Sequence, residues 1–90
     1  MMLTREGEVL KVAGPMNIDS ATALLEQSTG MLSDVNVVDL AAVTEVDSAA
    51  VSLLLEWRRQ SKNSALRFAN LPAALKSLAE LYGVADLIPQ

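Results

Sequence analysis

Hydrophobic spacing along this chain switches several times between the two-residue period of a strand and the near-four-residue period of a helix. Leu3-Thr4-Arg5, a turn at Glu6-Gly7 and the stretch Glu8 to Ala13 predict a β-hairpin, with Val9, Leu10 and Val12 as β-formers. Gly7 supplies the positive φ of a tight turn, and Gly14-Pro15 is expected to break the strand. Asn17 is placed to cap a helix from about Ile18 to Thr29, in which Ala21, Leu24, Leu25 and Ser28 keep helical spacing and Asp19 suits the first turn. Gly30 ends that run.

The β-branched run Val35 to Leu40 predicts a buried central strand, followed by a connector from Ala41 to Asp47. Ser48 to about Ser61 has no Gly or Pro, is rich in Leu and predicts the strongest helix of the chain. Lys62-Asn63-Ser64 is expected to turn, and Ala65 to Ala69 to form a short strand with Leu66 and Phe68 on one face. Pro72 and Gly83 bracket a last helix whose stripe is Leu75, Leu78, Ala79 and Tyr82. The tail from Val84 to Gln90 is expected to pack as an extended or single-turn segment. The order ββαβαβα predicts one α/β domain over residues 1–90, a mixed four-stranded sheet covered by helices.

Placed on a helical wheel, Ser48, Ser52, Glu56 and Arg59 share an arc of about 80°, while Ala49, Ala50, Val51, Leu53, Leu54, Leu55 and Trp57 cover about 240°. Resting on a sheet uses a stripe somewhat over 100° wide. The surplus apolar margin is either covered by the Pro72 helix or left as a docking surface with the four polar residues as its lane. Trp57 fits either reading, as a core residue or as an aromatic anchor for a partner. Asp47 or Ser48 can cap the helix, and Ser48 is also placed for phosphorylation, where a phosphate would meet the helix dipole.

Composition narrows the chemistry. Cysteine and histidine are both absent, so disulfides, thiolate metal sites and the commonest general base are excluded. A net charge of −4 argues against nucleic acid as a partner. Met1 to Ala13 forms no signal-peptide core, and no apolar run approaches the roughly 20 residues that span a bilayer. Asp19, Asp39 and Asp47 could gather at one end of the sheet for acid–base work or Mg²⁺, although acidic residues at element ends more simply cap and solubilise. There is no phosphate-cradling Gly-rich loop. Neither a catalytic residue, a metal ligand nor a cofactor is expected, and Arg58-Arg59 reads as a solvated helix face.

The segment from Val38 through Asp47-Ser48 to Val51 resembles the signature of STAS domains, in which a strand, a short connector and Asp-Ser or Asp-Thr open a helix. The resemblance runs over almost the whole chain and implies the small STAS fold. Within the family, Leu71 to Val84 is similar to the small STAS subunit of the Mla lipid-asymmetry transporter. That likeness implies a non-catalytic cytoplasmic subunit, peripheral to the inner membrane, bound to the ATPase of an ABC-type phospholipid transporter. Ser48, Ser52, Glu56, Trp57 and Arg59 would then be partner-binding. A more distant likeness to anti-sigma-factor antagonists implies the alternative, phosphorylation of Ser48 by a partner kinase. Both branches usually carry glycine where Ala50 stands, and alanine makes the helix start firmer by about 1 kcal/mol.

Overall fold

The computed structural model describes residues 2–61 and 66–88. Strands β1 (Met2–Glu6), β2 (Val9–Met16), β3 (Val37–Val46) and β4 (Arg67–Ala69) lie in the order β1-β2-β3-β4. Helices α1 (Ile18–Ser28), α2 (Ser48–Gln60) and α3 (Ala73–Leu81) follow β2, β3 and β4. Single 3₁₀ turns occupy Leu32–Asp34 and Ala85–Leu87. The expected ββαβαβα order and mixed sheet are observed: β1 and β2 are antiparallel, and β2–β3 and β3–β4 are parallel. Both parallel crossovers step the same way across the sheet. Their usual right-handedness puts α1 and α2 on one face, where α1 packs on α2 and α2 on α3. Buried and more exposed positions alternate at Leu10-Lys11-Val12, the mark of a sheet with one packed face.

The hairpin turns at Gly7, with φ +59°, where a side chain would be strained. Two strands run further than expected. β2 continues through Gly14-Pro15 to Met16, because the β1 ladder reaches only Ala13 and the β3 register shifts on either side of Gly14. Gly14 takes φ +91° at this irregularity, so the dipeptide bends the strand without ending it. The expected connector from Ala41 to Asp47 is instead the second half of β3, held by pairing of Ala42 to Val46 with β2. Its apolar valines, Val43 and Val46, are three residues apart among exposed Ala41, Ala42, Thr44 and Glu45, so the two-residue period of a strand is missing. Lys62-Asn63-Ser64, Ala65 and Pro89-Gln90 lie outside the described residues.

Trp57 decides its own alternatives. It is 0% exposed at the centre of a core that includes Leu10, Leu24, Leu54, Phe68 and Leu75. Its indole Nε1–H donates to Ser28 Oγ at 2.7 Å, and that hydroxyl donates to the Leu25 carbonyl of α1 at 2.9 Å. The expectation that Trp57 meets a partner is therefore corrected: the ring is spent on joining α1 to α2. A buried serine in the α1 stripe has the same explanation, since it answers the indole N–H. Tyr82 departs the other way. It is the C-cap of α3 and 52% exposed, so the stripe that buries Leu75 and Ala79 ends before it.

A smaller latch holds the start of β3. Asp39 accepts hydrogen bonds from Asn70 Nδ2 at 3.0 Å and from the Ala41 amide at 2.9 Å. The Asn70 bond first, then the amide bond, hold its carboxyl below the usual carboxylate range.

Ser28→Ala leaves the indole donor buried without a partner and should destabilise by about 1–3 kcal/mol in urea unfolding; combined with Trp57→Phe the losses should be markedly non-additive. Asn70→Gly suits the left-handed φ of +57° and deletes the donor to Asp39. A depressed folded pKa gives stability that is present above the unfolded carboxylate pKa and lost as pH falls through the folded one. The difference between wild type and Asn70→Gly should accordingly be largest near neutrality and shrink as pH drops below about 4, measured by urea unfolding across that range.

Candidate functional site

β2 and β3 end level with one another, Met16 pairing with Val46. Each strand hands directly to a helix, so the next residues, Asn17 and Asp47, are helix N-caps standing side by side. Asn17 accepts from the amides of Asp19 at 3.0 Å and Ser20 at 3.1 Å. Its own amide donates to Ser20 Oγ at 2.9 Å, which closes a capping box in which serine does the work usually given to Glu or Gln. Asp47 Oδ1 accepts from the Ala49 amide at 2.8 Å, capping α2. Its other oxygen, Oδ2, accepts from the Ile18 amide at 3.0 Å, the first N–H of α1. The expected Asp47 cap is present, and it reaches two helices. Asn17 Nδ2 adds a longer contact to Glu45 Oε1 at 3.4 Å.

Around these caps the surface is apolar and open. A groove of about 400 Å³ is lined by Ile18 from α1, by Ser48, Ser52 and Leu55 from α2, and by Tyr82 and Val84 beyond α3. A second, of about 310 Å³, runs between α1 and α2 past Thr22, Leu25 and Glu56. Ala49 and Ser52 border both, so the two form one trough along the exposed side of α2. Ile18 is 75% exposed and Tyr82 52% exposed there, so the groove carries two large exposed apolar side chains together.

The predicted polar lane is brought to the surface together. Ser48 and Ser52 are exposed and Glu56 is half-buried. Arg59 is exposed and its guanidinium donates to Glu56 Oε1 at 2.7 Å, an ion pair worth little by itself. Ser48 is the first residue of α2, its side chain exposed beside the Asp47 cap. The apolar margin of α2 is covered only in part. α3 packs on α2, yet it leaves Ala49 and Leu55 only half-buried beside the groove.

The three aspartates do not gather. Asp39 and Asp47 stand eight residues apart along an extended chain, roughly 25 Å, and each carboxylate is engaged by amide donors. Among the described residues there is no group of three or more acidic side chains able to hold a metal, and no helix is long and apolar enough to cross a membrane. Two groove residues escaped sequence reasoning. Ile18 is seven residues from Leu25 and so in phase with the half-buried margin of α1, a usable signal. Tyr82 was absorbed into a stripe, because spacing does not say where a helix leaves its neighbour.

A solved structure of the anti-sigma factor antagonist SpoIIAA in its unphosphorylated form superposes with a TM-score of 0.69, covering 97% of this chain and 84% of that one at 14% identity. At that identity the likeness speaks for the fold. Among curated proteins none matches. The family model STAS_2, described as "Mlab, STAS domain", matches residues 1–89. A match of that extent, over the same strand–cap–helix arrangement that places Ser48, means that the chain belongs to the STAS-domain family.

Proposed function

We propose that this STAS domain is a non-catalytic accessory subunit that docks on the ATPase of an ABC-type phospholipid transporter, on the cytoplasmic side of the inner membrane. The observation that carries the reading is the open trough along α2. It joins a polar lane, exposed Ser48, Ser52 and Arg59 with half-buried Glu56, to exposed apolar side chains, Ile18 and Tyr82. That mixture, an apolar centre with a polar margin, suits a protein partner. The family description and the similarity of Leu71 to Val84 to Mla subunits support the choice of transporter. Lipid would be handled by other subunits, since the grooves here are open and shallow, and attachment to the membrane would run through the complex.

A second reading rests on one feature, the exposed position of Ser48 as first residue of α2. In an anti-sigma-factor antagonist switched by a kinase, phosphate on Ser48 would place about two negative charges on the docking surface. SpoIIAA supports it through the fold.

Affinity purification of the tagged chain from gently solubilised membranes should recover an ABC ATPase with its permease. Ser48→Arg, which pushes a long charged side chain into the groove, should weaken that complex at least about tenfold and lower its ATPase rate, whereas Thr4→Arg on the exposed edge of β1 should do neither. An unchanged complex with Ser48→Arg would overturn the surface. Phosphopeptide mapping separates the alternative: recovery of a soluble serine kinase, with phosphate on Ser48 under stress, would replace the transporter reading by the switch.

A further inference from the structure

The trough has two walls that belong to different helices, and at the helix starts the Asp47 side chain is hydrogen-bonded to both. Ile18 opens α1 and Ser48 opens α2. The first amides of a helix have no partner within it, and for α1 the donors at Asp19 and Ser20 are met by Asn17 in the ordinary way. The Ile18 amide is not. It is answered from across the site, 29 residues along the chain, by the carboxylate that also caps α2. The two helices touch again at the far end through Trp57 and Ser28, so the α1–α2 seam is pinned at both ends by polar contacts.

We propose that Asp47 is a positioning residue: its two carboxylate oxygens tie the first turns of α1 and α2 together and so fix the separation of Ile18 and Ser48 that a docking partner meets. The inference deepens the docking reading above and rests on it for the identity of the partner. It needs a carboxylate specifically. Serine or threonine caps a helix as well, but offers a single short oxygen that cannot also reach a second helix. Asparagine is nearly isosteric and equally good as a cap, yet has one acceptor and presents an NH₂ to the other donor. The Ile18 position provides the converse substitution. Asn17 has φ −132° and ψ −176°, an extended conformation of the kind that the residue before proline adopts, and proline is well tolerated as first residue of a helix. Ile18→Pro thus deletes the donor; its Cδ, standing where the amide hydrogen was, also turns Asp47 Oδ2 away, so the Ala49 amide must be followed to see that the α2 cap is kept.

The test compares Asp47→Asn, Ile18→Pro and the double variant in the full chain, with Ile18→Ala as the control for the lost side chain. Residue-resolved amide exchange by NMR should show Ile18 exchanging about tenfold faster in Asp47→Asn, with Ala49 and the core amides changed by no more than the global stability loss accounts for. The stability losses of Asp47→Asn and Ile18→Pro should be non-additive, since either removes the same bond. An Ile18 amide that keeps its wild-type exchange in Asp47→Asn, or strictly additive losses, would overturn the clasp. Binding to the purified ABC ATPase should weaken about tenfold in Asp47→Asn at a temperature where the variant is fully folded; full affinity with the Ile18 bond gone would overturn the positioning role. Failure of the wild-type chain to bind the ATPase would count against the transporter reading alone, because exchange and the double-variant cycle need no partner.

Discussion

Two parallel strands that stop level with each other bring two helix starts to the same place, and the amides there must be satisfied. Met16 and Val46 end β2 and β3 as a pair, and everything at the site follows from the next residue of each strand. Asn17 solves the problem locally with Ser20. Asp47 solves it for two helices at once. The surface that results presents first-turn residues, Ile18 and Ser48, whose side chains are exposed beside amides of Ile18 and Ala49 that Asp47 holds.

The fold was largely legible because its elements obey one period each. The order of strands and helices, the Asn17 and Asp47 caps, and the Ser48 helix with its polar lane all follow from spacing and capping chemistry. What was hidden had physical reasons. β3 extends through Ala41-Ala42-Val43-Thr44-Glu45-Val46 although this half shows no two-residue alternation, because its backbone pairs with β2 while only Val43 and Val46 of it pack against the core. Gly14-Pro15 reads as a stop, but a proline past the end of the β1 ladder loses nothing on that side. Trp57 was balanced between core and interface because a wheel gives direction and not depth; the buried Ser28 in α1 is its counterpart, and only the packing of the two helices reveals the pair.

The functional surface was half legible. Polar residues on one face of a helix announce themselves, and Ser48, Ser52, Glu56 and Arg59 do reach the surface together. The apolar half comes from three separate parts of the chain, Ile18, Leu55 and the Tyr82–Val84 segment, and their meeting is a property of the packing of α1, α2 and α3. The same division explains why the catalytic alternative weakens: Asp39 and Asp47, which look interchangeable in the sequence, serve opposite ends of one strand, one latching Asn70 and the other joining two helices.

The strand order has a consequence for how the molecule is made. Each strand pairs with the one that precedes it, β1 with β2, β2 with β3, β3 with β4. A ribosome delivering this chain releases the sheet in the sequence in which it is stitched, so no strand has to wait for a later one to be inserted between it and its neighbour. The hairpin pairs residues close in the chain, and the three-residue β4 with its trailing helix comes last and brings Phe68, Leu75 and Ala79 to complete the core.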